Sequence, residues 1–431
     1  MKRHCCTLVA IALLAIPACN AQGPVPSVPI GFTVIPEDEG HQSSALNYAA
    51  MVSYVNSIPR FERMKFRDPP LSDSNKGTQF SGWLRDGRRA IILSITDANH
   101  LDTYVVDRVS GKTLVALTEA MHTYAGPGGP SVYNAGVSPM YSAQDRAKVV
   151  GFLFVASTGR PRLCYVGPDG KQPSCVDVGV HGCSPSPDGK HAACEEEHFD
   201  GIRLYDLTIQ GGAPKLANPH SINRGDGETL ALRAVVWAPN SQGFVYESRF
   251  SEHQGRIIYY KLPSASRPAG DYTILNTPDW IAGCFCESAG PYYQAGKTIC
   301  KNIGTCDDLS KCNIGTELPA WQGDSKFVYY SAFRRIDQQP FTRVLGRVSI
   351  ERPGYFEPLT EGFEHGGARS AAVSPDGKSI AFESVTSAND TRSQIYLLDL
   401  AKPTKAIQLT KLPLDGPPKR AEVYATMWRS N

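Results

Sequence analysis

A tight corner built from Ser-Pro-Asp-Gly-Lys returns along this chain at a near-constant interval, and that recurrence restricts the folds open to it. The fullest copy is Ala372-Val373-Ser374-Pro375-Asp376-Gly377-Lys378-Ser379-Ile380-Ala381-Phe382, followed by Gln394-Ile395-Tyr396-Leu397-Leu398-Asp399-Leu400 and Gln408-Leu409-Thr410. Each residue of the corner has a task. Pro375 presets φ for the first turn position, Asp376 hydrogen-bonds the local backbone, and Gly377 takes the positive φ of the next position. The near-continuous apolar run Ile395–Leu400 reads as a strand covered on both sides. The unit is therefore strand, corner, strand, loop, strand, turn, strand.

Weaker copies start near Trp83-Leu84-Arg85-Asp86-Gly87, Val137-Ser138-Pro139, Ser186-Pro187-Asp188-Gly189-Lys190, Trp237-Ala238-Pro239-Asn240-Ser241 and Trp321-Gln322-Gly323-Asp324-Ser325. Asp-Gly is replaced by Met140-Tyr141 in the second copy and by Asn240-Ser241 in the fourth. Equivalent positions near 83, 137, 185, 237, 321 and 373 give steps of about 54, 48, 52, 84 and 52, a period of four short strands that belongs to propeller blades. The long step holds a Cys-rich stretch, about 281–315, which reads as an insertion. The expected fold is all-β: a six-bladed β-propeller of four-stranded blades over 75–431. A seventh blade is left open, because Tyr424-Ala425-Thr426-Met427-Trp428 resembles a first strand and Val28–Val34 could complete it. Joining strands from both chain ends would remove exposed sheet edges. Residues 22–74 read as an N-terminal lead-in. Within it, Ala45, Tyr48, Ala49, Val52 and Val55 recur at helical spacing and predict a short helix.

The first 21 residues read as a signal peptide: Lys2 and Arg3, then the apolar run Leu8–Ile16, too short to span a bilayer. Two processing sites are open. One follows Ala21; the other precedes Cys19, where Ile16-Pro17-Ala18-Cys19 resembles a lipobox and makes Cys19 a lipidation candidate. Removing the leader takes two basic residues and leaves the basic and acidic counts equal. Balanced charge gives no pull toward nucleic acid or anionic lipid. The sequence thus places the protein in the periplasm, on the outer membrane as a lipoprotein, or outside the cell, with the membrane reached only through a lipid anchor.

Export makes disulfides the default reading of the cysteines. Cys164 and Cys175 flank one predicted hairpin turn, Cys183 and Cys194 another, and opposed strand positions can be bridged. The pairs Cys164–Cys175 and Cys183–Cys194 follow, with other pairings among the four still open. Cys284, Cys286, Cys300, Cys306 and Cys312 are odd in number, so their pairing is undetermined and one thiol is left over or pairs elsewhere. Their spacing fits no common zinc knuckle.

These repeats resemble the TolB-type propeller repeat, also found in peptidase-associated propellers of the prolyl oligopeptidase kind. The resemblance runs over about residues 75 to 428, carried by Ser374–Phe382, Ile395–Leu400, Leu409-Thr410 and the copy around Asp188. It implies a WD40-like ring of blades. TolB itself carries an α/β domain before its propeller, whereas about fifty residues lie between the leader and the first blade here, so TolB's partners do not carry over. No G-x-S-x-G nucleophile elbow of the hydrolase relatives is found.

No H-E-x-x-H, P-loop, EF-hand loop or G-x-G-x-x-G is found, and no cofactor is expected. His181, His191 and His198 fall close together around Glu195–Glu197, and His181 and His198 are the weak metal candidates. His365 and Arg369 precede the clearest repeat, near the channel mouth, and are ligand-binding candidates, as is Trp280 beside the insertion. Trp83, Trp237, Trp321 and Trp428 recur at one repeat position and read as packing between blades. The expected function is a non-catalytic binding or scaffolding module at the bacterial envelope, engaging a protein, peptide or glycan through loops of one face. The alternative is a carbohydrate- or peptide-active enzyme with its site at the channel mouth.

Overall fold

Seven four-stranded blades close into a ring in the computed structural model of the chain. The structure describes residues 29–37, 47–55, 58–73, 77–97, 100–117, 131–132, 137–142, 144–145, 148–157, 161–171, 173–178, 180–196, 201–222, 231–251, 254–264, 270–275, 285–286, 300–301, 312–336, 342–354, 356–360, 368–374, 376–385, 393–403, 406–411 and 420–427.

Strands β1 (Ile30–Glu37), β2 (Tyr48–Val55) and β3 (Ile58–Arg63) come first in the chain. The first blade is β4 (Gly77–Trp83), β5 (Arg89–Asp97), β6 (His100–Asp107) and β7 (Thr113–Ala116). In the second, the innermost strand is split into β8 (Ser131–Val132) and β9 (Ser138–Tyr141), followed by β10 (Val149–Ser157), β11 (Pro161–Val166) and β12 (Ser174–Asp177). The third is β13 (Val180–Pro185), β14 (His191–Glu196), β15 (Ile202–Gln210) and β16 (Ala213–Ile222). The fourth is β17 (Ala231–Trp237), β18 (Gly243–Ser251), β19 (Gln254–Lys261) and β20 (Asp271–Ile274). A separate pair, β21 (Phe285–Cys286) and β22 (Cys300–Lys301), falls in the expected insertion. The fifth blade is β23 (Cys312–Trp321), β24 (Phe327–Ile336), β25 (Thr342–Ser349) and β26 (Phe356–Pro358). The sixth is β27 (Ala368–Val373), β28 (Ser379–Val385), β29 (Ser393–Asp399) and β30 (Ala406–Gln408). Finally β31 (Arg420–Met427) pairs with β1, and the closing blade runs β31-β1-β2-β3. The composite seventh blade left open by the sequence is thus present.

The helix expected around Tyr48–Val55 is strand β2 instead. Ala50 and Val52 pack toward the sixth blade, while Ala49 and Met51 pack toward the first. A strand covered on both faces is apolar at every position, and a continuous apolar run contains helical spacing by default. A second correction concerns the second corner. Pro139 lies inside β9, across from Phe152, and the turn comes later: Ser142 N donates to Lys148 O at 2.9 Å and Lys148 N to Asp145 O at 3.0 Å. The innermost strand is a sheet edge, where proline is tolerated.

Each seam between neighbouring blades holds its own apolar cluster. Strand β29 shows how: Ile395 and Leu397 face the closing blade, Tyr396 and Leu398 the fifth. The tryptophans do pack across seams. Trp237 Nε1 donates to Ser184 O of the third blade at 2.8 Å, and Trp321 Nε1 to Val236 O of the fourth at 2.9 Å. Trp428 lies outside the described residues.

The corners share one hydrogen-bond pattern. In the sixth blade Ser374 N donates to Ser379 O, Gly377 N to Ser374 O and Leu400 N to Lys378 O, all at 2.8–2.9 Å, while Lys378 N reaches Asp376 Oδ1 at 3.1 Å. The corners beginning at Leu84, Ser186, Ala238 and Gln322 repeat the backbone set. The fourth corner position has positive φ throughout: Gly87 61°, Gly189 70°, Ser241 60°, Ser325 62°, Gly377 68°. The two serines there link blades. Asp188 N donates to Ser241 Oγ at 3.0 Å and Asn240 N to Ser325 Oγ at 3.1 Å.

Both disulfides read from the third and second blades are formed: Cys164–Cys175 across β11–β12 and Cys183–Cys194 across β13–β14. The innermost strand carries an extra, bulged residue in most blades; in the first it falls between Phe80 and Gly82. Bulges leave ladder groups needing partners. Here the amide of Phe80 donates to Thr33 Oγ1 of the closing blade at 3.0 Å, fully inside the seam.

Two stability outcomes follow. Thr33→Val removes the acceptor and leaves the Phe80 amide buried without one, a cost of about 1–3 kcal/mol that Thr33→Ser avoids; chemical denaturation of the three proteins measures it. Ser241→Ala and Ser241→Gly both lose the bond from Asp188, but glycine accepts the left-handed backbone, so the alanine variant unfolds first, by about 1 kcal/mol.

Candidate functional site

Strand direction alternates within each blade, so the two faces of the ring are built differently. Corners 84–88, 186–190, 238–242, 322–326 and 374–378 and the turns between third and fourth strands lie on one, the corner face. The ends of β14, β20, β26 and the start of β27 open on the other, the connection face. Residues 197–200, 276–284 and 361–367 join these ends. His198, Trp280 and His365 fall there and lie outside the described residues, as does Cys19.

The last core residue of each innermost strand sets a common level. Trp83 stands across from Ala90, Tyr141 from Val149, Pro185 from Ala192, Trp237 from Phe244, Trp321 from Val328 and Val373 from Ile380. Four residues earlier, toward the connection face, stand Gln79, Val137, His181, Arg233, Glu317 and Arg369. Four successive blades, the third to the sixth, therefore carry a titratable or charged residue type at one level of the inner ring. His181 occupies the bulge of β13, between Val180 and Gly182.

Behind this level the second strands carry Glu195, Glu247 and Glu383. Glu247 stands across from Arg233 and Glu383 across from Arg369. Directly opposed residues of an antiparallel pair share a sheet face. Glu247 is 5% exposed and Glu383 is fully buried. Buried carboxylates are costly unless partnered, so their repetition at one place is a specific feature of this rim.

The sequence-derived candidates divide accordingly. His181 and Arg369 come to the same level of the inner ring. His191 does not join His181: it sits at the corner-face end of β14, where its Nδ1 is 3.3 Å from Asp206 Oδ1 and its ring stacks on Trp237. Among the described residues no group of three or more His, Cys, Asp or Glu is placed to hold a metal. Arg233 and Glu317 were not singled out from the sequence, although their fixed offset from Trp237 and Trp321 was a usable signal.

The corner face has shallower features. A cleft of about 440 Å³ on the fifth blade is lined by Lys326, Phe327, Arg347, Ser349, Glu351, Arg352 and Glu357. Its central guanidinium is committed to structure, since Arg347 meets Glu357 through two bonds of 2.7 and 3.1 Å. Asp107, on the same face of the first blade, has its carboxyl held down at about 2 by the Ser110 amide and by Arg88, which makes it a turn cap.

Among the described residues no helix is long and apolar enough to cross a membrane. No protein-family model matches the chain, and no curated protein matches it. Solved structures do. A puromycin-hydrolysing peptidase of Mycobacterium tuberculosis is 12% identical, with a TM-score of 0.53, covering 92% of this chain and 54% of that one. A puromycin hydrolase is 15% identical, with a TM-score of 0.50, covering 91% and 54%. TolB from Acinetobacter baumannii is 12% identical, with a TM-score of 0.41, covering 91% and 81%. The chain thus spans about half the length of the two hydrolases, and at these identities the likeness concerns fold alone. With its repeated corners and its ring closed by strands from both ends, the chain is a seven-bladed β-propeller.

Proposed function

We propose that this propeller is a non-catalytic binding module of the bacterial cell envelope that engages a protein, peptide or glycan at the channel mouth of its connection face. The observation that carries the reading is the level shared by His181, Arg233, Glu317 and Arg369 on four successive innermost strands. Packing of a propeller does not call for charge there. On the opposite face the short corners bond their backbone groups locally. The ligand class that fits is polar and carries charge of both signs, as a folded protein surface or a peptide does. His365 and Trp280 belong to connections of the same face and would extend the contact.

Capture from solubilised envelope tests this. Wild type enriches a partner; the triple variant His181→Ala, Arg233→Ala, Arg369→Ala loses it; the corner-face variant Lys190→Ala, Lys326→Ala, Lys378→Ala keeps it. Melting temperatures measured alongside separate lost binding from lost fold. Absence of any partner, together with turnover of a peptide or glycan by the wild type, would transfer the site to the enzymatic alternative.

Reading residues 1–21 as a leader supports export, and anchoring through Cys19 fits an envelope role. Intact mass of the mature protein decides between processing routes: a lipid adduct on an N-terminal Cys19, or an unmodified chain beginning at Gln22.

A further inference from the structure

Within the insertion, Cys286 of β21 and Cys300 of β22 stand directly opposite each other in an antiparallel ladder, next to the pair Phe285 and Lys301. Two other cysteine pairs hold the same relation in this protein. Cys164 stands across from Cys175 and Cys183 across from Cys194, and both pairs are bridged, with Cα–Cα separations of 4.1 and 4.0 Å. Directly opposed positions bring Cβ atoms to about 4.5–5.5 Å on one side of a sheet. A small closing movement reaches the roughly 3.5–4.5 Å that a bridge requires.

We propose that Cys286 and Cys300 form a third cross-strand disulfide, which staples the insertion between the fourth and fifth blades. Cys312 is in a different position: it begins β23 and stands across from Ile336, within the ladder of the fifth blade. The bond forms by thiol–disulfide exchange. The two thiols give up two protons and two electrons, and an exogenous dithiol oxidant, itself in disulfide form, is reduced to two thiols. The two bridges already present need the same class of oxidant. A two-stranded piece this short has almost no core to hold it, so a covalent link is the economical way to fix its register. The staple is independent of what the connection face binds.

Peptide mapping of the full-length protein, purified from an oxidising compartment and never reduced, tests the assignment. Tryptic cleavage after Lys297 and Lys301 isolates Thr298–Lys301 with Cys300, and chymotryptic cleavage after Phe285 separates Cys284 from Cys286. The expected product is Cys300 linked to Cys286. Linkage of Cys300 to Cys284, Cys306 or Cys312, or its alkylation without prior reduction, overturns the proposal. A second measurement uses serine variants under denaturing, non-reducing conditions. Cys286→Ser raises the free-thiol titre by one and exposes Cys300 to alkylation; an unchanged state of Cys300 in that variant also overturns it.

Discussion

A sheet with two apolar faces has to be covered twice, and that requirement organises this molecule. Each blade alternates its side chains into two seams, as Ile395 and Leu397 do on one side of β29 and Tyr396 and Leu398 on the other. No blade can be an end piece, because one of its faces would then meet water. Burying apolar surface at about 25 cal/mol per Å² makes that exposure prohibitive across a whole sheet face. A closed ring satisfies every blade at once. The polar links follow the same logic: Trp237, Trp321, Ser241 and Ser325 each reach back to the preceding blade and satisfy a backbone group there.

Much of this was legible in the sequence, and the failures have physical causes. Corners are local chemistry, so Pro-Asp-Gly and its variants announce themselves. Ser241 and Ser325 show that a departure from glycine need not alter the turn when the side chain finds work in the next blade. Disulfides across predicted hairpins were readable because opposed positions follow from the turn between them. Tyr48–Val55 misled because burial of Ala49–Val52 on both faces erases the alternation by which a strand is usually known. Pro139 misled because a serine-proline pair suits an edge strand as well as a turn.

The inner ring was harder to read. Arg369 drew notice by its nearness to the clearest corner, while Arg233 and Glu317 sit at the same offset before weaker corners. Their relation is one of rotation about the ring axis, which a linear reading reveals only when each strand is aligned on its last buried residue. The opposed glutamates add a constraint that no single repeat displays. Glu247 and Glu383 belong to different blades, and only register places each across from an arginine.

Pairing of β1 with β31 also has a consequence for biosynthesis. Strand β1 can pair with β2 as soon as both are made, but it meets its second neighbour only once β31 has been made, so the ring closes only after that strand emerges. Until then β1 carries an unsatisfied edge of the kind that invites intermolecular pairing. That interval sets the span over which holding chaperones have to act.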